Sequence, residues 1–151
     1  MNHFSQIRGK LAENGLDAIL LNSEPNRFYA SAFHTMAEDD GRVLITGEQS
    51  YFITDSRYTE AAEAQIRDAE IVIRENAAKY TDILKELLAK HGVKKLGFEE
   101  CALTVKQFNE YSKELGCEFV PASDLLAVLR QSKDEDEIAG MIKAQRISIQ
   151  P

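Results

Sequence analysis

The sequence predicts an α/β domain built on a mixed sheet of about six strands flanked by helices. Three observations carry this expectation. Short apolar runs of strand type alternate with stretches whose apolar residues recur every three or four positions. Two neighbouring runs, residues 42–46 and 51–54, are separated only by Gly47-Glu48-Gln49-Ser50, which makes them a hairpin. The other strands are joined through helices, and such crossovers give parallel pairs, so the sheet is mixed.

Residues 4–14 read as the first helix, because Phe4, Ile7 and Leu11 share a face and Gly15 stands just past the end. Residues 16–21 read as a buried strand, broken by Asn22-Ser23-Glu24-Pro25-Asn26. A short aromatic turn of helix through Arg27, Phe28 and Tyr29 follows. Residues 33–41 form a polar loop carrying Asp39 and Asp40. After the hairpin, Asp55 or Ser56 caps a helix running through Arg57, Tyr58, Ala61 and Ala62 to Ile66, its side-chain oxygen accepting from first-turn amides. Residues 70–73 are a strand. Residues 81–91 are a helix with Ile83, Leu84, Leu87 and Leu88 inward, and 94–98 are a strand. Thr104 and Gln107 have capping-box spacing and open a helix that stops at Gly116. Residues 118–120 are a strand ended by Pro121, and Ser123 is expected to cap a short helix bearing Leu125, Leu126, Val128 and Leu129.

The last segment differs. Ser132-Lys133-Asp134-Glu135 reads as another capping box, and Ile138, Met141, Ile142 and Ile149 recur at helical spacing. An isolated amphipathic helix of this length is marginal in water. Either it packs back on the α/β domain or its natural partner lies outside the chain. The expected organisation is a domain over residues 1–131 followed by a linking helix over 132–151.

Composition excludes more than it assigns. Apolar residues make up 44% and charged residues 28% of the 151, as in soluble globular proteins. Eighteen Lys and Arg against 25 Asp and Glu give −7, which argues against a nucleic-acid partner. No apolar run approaches the ~20 residues that cross a bilayer. Residues 1–6 lack the basic and apolar regions of a secretion signal. Cys101 and Cys117 match no zinc or redox spacing. A cytoplasmic location, without membrane contact, is the expectation.

No chemistry-bearing motif emerges. Residues 22–25 follow the first strand without a glycine-rich turn, so neither the dinucleotide fingerprint nor the P-loop is present. No G-x-S-x-G occurs, and neither Cys has a neighbouring His. His3 sits near the N-terminus and His91 in a helix's last turn. His34 is followed by Glu38, Asp39 and Asp40, types that can ligate a divalent ion. Loop acids are usually just solvated, so no metal ligand and no catalytic residue are assigned. Two constellations stand out. Residues 26–33 hold three aromatics and an arginine, suited to core packing or to an interface. Asp55, Arg57 and Tyr58 suit a helix cap with a charge-assisted pair.

These constellations carry a family resemblance. Asn26-Arg27-Phe28-Tyr29-Ala30-Ser31-Ala32-Phe33 resembles the N-x-x-Y-L-[ST]-G-F segment of the creatinase/prolidase N-terminal domain. Thr54-Asp55-Ser56-Arg57-Tyr58 with Glu60-Ala61-Ala62 resembles its D-x-R-Y-x-x-x-A segment. Lys95-Leu96-Gly97-Phe98-Glu99 with Leu103-Thr104 is similar to its next landmark. Residues 129–138 resemble the L-R-x-x-K-x-x-x-E-I stretch that joins this domain to a peptidase domain. The four stand in the family's order. Ala30 and Ala32 occupy positions where the family carries Leu and Gly, which sets an alanine against any turn there that needs positive φ.

The resemblance implies a ribonuclease-H-like sheet and a parent enzyme that hydrolyses the bond before proline. The parent's catalytic domain would hold two divalent metal ions such as Mn²⁺, with all five ligands beyond the linking helix. The chain itself is then expected to be inactive and to contain no cofactor. It would act in dimerisation and substrate access, with its own C-terminal catalytic domain, a second copy and proline-containing peptides as partners. Tyr29, Phe33 and His34 would lie at the substrate mouth, and Asp55, Arg57 and Tyr58 would be structural. Two alternatives stand beside this: a stand-alone interaction domain, and the N-terminal domain of a creatinase-type amidinohydrolase.

Overall fold

The structure, a computed structural model, describes residues 2–149. Its elements follow as α1 (Phe4–Leu11), β1 (Ala18–Leu21), α2 (Glu24–Ser31), β2 (Gly41–Thr46), β3 (Ser50–Asp55), α3 (Thr59–Gln65), β4 (Glu70–Arg74), α4 (Tyr80–Lys90), β5 (Lys95–Phe98), α5 (Val105–Leu115), β6 (Glu118–Pro121), α6 (Ser123–Gln131) and α7 (Glu135–Ile149). The six strands form one sheet in the order β4-β3-β2-β1-β5-β6. Strand β2 is antiparallel to both neighbours, and every other pair is parallel. The expected mixed α/β sheet with its hairpin is therefore present.

Alternation along the strands builds two cores. Ile19, Leu21, Val43, Ile45 and Phe52 face a layer made by α1, α2, α3 and α6. Ala18, Leu20, Leu44, Tyr51 and Ile53 face the opposite layer, α4 and α5. The period of two that sorts these residues is the pleat itself. Gly97 in β5 is fixed by packing, since a Cβ there would lie 2.8 Å from Leu16 Cδ1 and 3.1 Å from Ala122 Cβ.

Four local expectations change. Helix α2 opens at Glu24, with Pro25 in its first turn, where a missing N–H costs nothing. Arg57 and Tyr58 lie in a 3₁₀ turn, Ser56–Tyr58, and the α-helix begins only at Thr59. Asp55 does cap that turn, accepting from the Arg57 amide at 3.0 Å. Ser123 does not cap α6: the distant Glu100 carboxylate accepts from the amides of Ala122 (3.1 Å) and Ser123 (3.0 Å) instead. The reciprocal cap of α7 is formed by Asp134 and Glu137, two residues later than Ser132 and Glu135. The Glu137 amide donates to Asp134 Oδ1 at 2.7 Å and the Asp134 amide to Glu137 Oε2 at 2.9 Å.

Helix α7 does not pack back on the domain. None of its described residues is buried, and Ile138, Met141 and Ile142 remain 46%, 59% and 45% exposed. Among the described residues no helix is long and apolar enough to cross a membrane.

Candidate functional site

The loop between α2 and β2 is fastened at both ends by side chains of neighbouring elements. Helix α2 ends when Ala32 turns to φ +58° and its amide donates to Phe28 O at 2.7 Å. An alanine thus adopts the left-handed geometry that its identity argued against. From underneath, Arg27 holds the loop. Its side chain is 1% exposed and donates to Thr35 Oγ1 (2.8 Å), Glu38 O (2.9 Å) and Ala37 O (3.2 Å), and it also contacts Asn22 O. A buried guanidinium is tolerated only with such partners. Burial pushes the Arg27 group below its ordinary range, and the nearby Arg42 charge adds to this.

At the far end of the loop sits Asp40, 7% exposed. Its Oδ2 accepts from the Tyr58 hydroxyl at 2.6 Å and from the Ala37 amide at 3.0 Å. Its Oδ1 accepts from Arg57 Nη2 at 2.6 Å. The Tyr58 oxygen in turn accepts from the Met36 amide at 3.0 Å. Arg57 also donates to both oxygens of Asp55, from Nε at 2.9 Å and from Nη2 at 2.8 Å. The Tyr58 hydrogen bond, aided by Arg57 and the Ala37 amide, holds the Asp40 carboxyl below the usual carboxylate range. Arg57 does the same for Asp55, and the two acids raise the guanidinium. The segment containing Asp55, Arg57 and Tyr58 is therefore a clamp on the loop.

Tyr29, Phe33 and His34 are placed differently from one another. Tyr29 is 7% exposed, stacked on His3 with centroids 4.0 Å apart. Phe33 is 4% exposed and edge-on to Phe52 and Tyr58, so it supports the loop from inside. His34 is exposed, stacked on Phe28 at 3.7 Å and 2.6 Å from Glu24 Oε1 through Nδ1. The outermost side chain is Met36, 95% exposed, whose backbone is nonetheless pinned by Tyr58. Sequence reasoning passed over Met36; a large apolar residue just before the acids of a polar loop was the available signal.

A second assembly anchors α7. His3, read from sequence as a residue near a free end, is 5% exposed. Its Nδ1 lies 2.7 Å from Tyr29 O and its Nε2 2.8 Å from Asp134 Oδ2. Both partners are acceptors, so both bonds form together only in the imidazolium form. Glu137 Oε2 lies 3.9 Å from the same nitrogen. The three side chains are close enough to hold a metal ion. The two carboxylates are already engaged as the reciprocal cap of α7, and the arrangement works as a helix anchor. Beside it, Arg130 Nη1 donates to Asn26 Oδ1 at 3.0 Å, and Asn26 Nδ2 contacts Glu99. Glu99, 3% exposed, also accepts from the Ser23 amide at 2.9 Å and the Ser23 hydroxyl at 2.6 Å, at the start of α2. Three separated sequence segments are thereby tied at one point.

Comparison with known proteins agrees with this architecture. The sequence pattern of the Creatinase/Prolidase N-terminal domain matches residues 4–132. The chain is 31% identical over 144 residues to an uncharacterized peptidase, YqhT, of Bacillus subtilis, covering 95% of this chain and 39% of that protein. It superposes on an Xaa-Pro dipeptidase from Bacillus anthracis with a TM-score of 0.81 and 35% identity, over 90% of this chain and 37% of that one. It also superposes on the N-terminal domain of the cytoplasmic peptidase PepQ from Mycobacterium tuberculosis, with a TM-score of 0.72 and 30% identity, over 84% of this chain and 97% of that one. The chain spans about two-fifths of the length of the first two relatives. With that match over most of its length, the chain belongs to the creatinase/prolidase N-terminal domain family.

Proposed function

We propose that this domain is the non-catalytic N-terminal part of a metal-dependent Xaa-Pro peptidase, joined through α7 to a catalytic domain that hydrolyses the bond before proline. The observation that carries the reading is the uncovered apolar face of α7, where Ile138, Met141 and Ile142 lie in one shallow groove. A face of this kind gains stability only against another folded body. The likeness to the Xaa-Pro dipeptidase of B. anthracis supports the choice of substrate. Two divalent ions such as Mn²⁺, held by catalytic-domain residues, would activate the attacking water. This chain contributes none of their ligands and is inactive alone, in the cytoplasm as in solution.

In a homodimer the clamped loop would reach the partner's active-site mouth. His34 and Met36 are its outward groups, while Phe33 stiffens it from within and Tyr29 packs on His3 beside it. The loop then limits the length of proline-containing peptides. The test is steady-state kinetics on the full-length parent with an Xaa-Pro dipeptide and a longer Xaa-Pro peptide. Replacing His34 and Met36 by alanine should change KM for the two substrates unequally, with metal content unaltered. Unchanged kinetics for both would remove the access role. Hydrolysis of the dipeptide by the 151-residue chain supplied with Mn²⁺ would overturn the accessory reading itself.

A further inference from the structure

The sheet has three points where parallel neighbours send their following helices to opposite faces. Strands β1 and β5 lead to α2 on one layer and α5 on the other. Strands β3 and β4 lead likewise to α3 and α4, and β5 and β6 to α5 and α6, where the Glu100 carboxylate already accepts from the amides of Ala122 and Ser123. In open α/β sheets, ligand crevices form outside the carboxyl ends of strands at such points. At the first, the chain fills the crevice with its own anion: the Glu99 carboxylate sits on the amides of Asn22 and Ser23, at the N-terminus of α2.

At the second point the crevice is open. A cavity of about 430 Å³ lies there, between the end of β4 and the first turn of the eleven-residue helix α4. First-turn amides have no partner within their helix and carry the positive end of its dipole. Three further features point to a ligand. Arg74, the last residue of β4, donates from Nη1 to Ala78 O at 3.0 Å and lies over the Tyr80 ring at 4.7 Å. Its Nε is buried without a partner, and among the described residues no carboxylate lies within ion-pair distance of it. The other two arginines of the cavity are committed, Arg42 to Asp39 and Arg57 to Asp40 and Asp55. Thr81, in the first turn of α4, is 2% exposed, lines the cavity, and its hydroxyl also lacks a partner. A buried donor left unpaired costs free energy that a ligand would return.

We propose that this crevice binds a small oxyanion, a carboxylate or phosphate group, between the Arg74 guanidinium, the Thr81 hydroxyl and the first turn of α4. It repeats with an external ligand what Glu99 does internally. Asp39, Asp40, Asp55 and Glu110 also line the cavity; the three aspartates are paired with Arg42 and Arg57, which leaves Glu110 as the negative charge near the ligand. This disfavours large polyanions.

The test is an amide NMR titration of the ¹⁵N-labelled chain with inorganic phosphate and, separately, acetate, at constant ionic strength held with chloride. The expected result is a saturable shift of the Tyr80 and Thr81 amides and of the Arg74 Nε–H. A response to phosphate alone assigns a phosphate ligand, and one to acetate alone assigns a carboxylate; a response to both assigns the shared oxyanion. Arg74→Gln should weaken binding about ten-fold or more, as expected for a lost charge-assisted hydrogen bond. Thr81→Val, which keeps the shape and removes the hydroxyl, should weaken it several-fold; it decides the matter if Arg74→Gln does not fold. No saturable shift from either ion below about 10 mM, or wild-type affinity in a folded variant of either residue, overturns the proposal.

Discussion

Removing the Asp40 carboxylate should release the α2–β2 loop without unfolding the domain. Asp40→Ala deletes three hydrogen bonds: from Tyr58 Oη, from the Ala37 amide and from Arg57 Nη2. The Tyr58 bond dominates, since a hydrogen bond to a charged group contributes about 1.5–3 kcal/mol. The exposed Ala37 amide can turn to water, so its share is about 0.5 kcal/mol. Arg57 is solvent-exposed and keeps both bonds to Asp55, so its loss adds little. The sum is about 2–3.5 kcal/mol, or roughly 4–14 °C in Tm for a chain of this size. Urea unfolding with hydrogen exchange is the assay. The Met36 and Ala37 amides should lose protection while those of β1 and β2 keep theirs. Tyr58→Phe should reproduce most of the loss, and the double variant should add little because both remove the same bond. A loss under about 0.5 kcal/mol, or full additivity of the two, would refute the clamp.

Two further outcomes follow from the same loop. Ala32→Gly should stabilise the domain by about 0.5–1 kcal/mol, because relief of the left-handed strain exceeds the extra chain entropy; a lower urea midpoint in the variant would contradict this. Hydrogen bonds to the Tyr58 hydroxyl and to Arg57 hold the Asp40 and Asp55 carboxyls below their unfolded values. Their stabilisation is therefore complete above the unfolded carboxylate range and lost as pH falls through the lower folded values. Urea midpoints should drop below about pH 4, and less steeply in Asp55→Asn than in the parent; equal slopes in the two proteins would count against the assignment.

Much of the fold was legible because it depends on neighbours in the chain. The hairpin follows from two apolar runs around Gly47, and the alternation of Ile19, Leu20 and Leu21 sorts them onto the two layers without tertiary information. What escaped depends on residues far apart. Glu100 caps α6 from the end of the neighbouring strand β5, more than twenty residues away in sequence, so the hydroxyl of Ser123 was the better local guess. Ser132 and Asp134 offer equivalent capping spacings, and only His3, at the other end of the chain, distinguishes them. The cluster of Arg27, Tyr29 and Phe33 has the same composition whether it faces solvent or core. Its inward orientation became visible only in the folded chain, where Arg27 bonds the loop from below, Phe33 packs on Phe52 and Tyr29 on His3. The family motifs marked the right segments, but their chemistry is mechanical: Asn26, Glu99 and Arg130 join three of them by hydrogen bonds.

The anchoring of α7 at a single point has a geometric consequence. The helix has fifteen residues, a rod of about 22 Å. Its root is gripped by His3 and Arg130 lies beside that root, while its apolar residues Ile138, Met141 and Ile142 stay largely exposed. A pivot of about 10° at the root would sweep the far end through about 4 Å, taking the rod at its helical length. The side chain that resists that pivot is the imidazole ring of His3, near the start of the chain. Trimming or extending the N-terminus should therefore re-aim whatever body the rod carries, although no residue of the rod itself has changed.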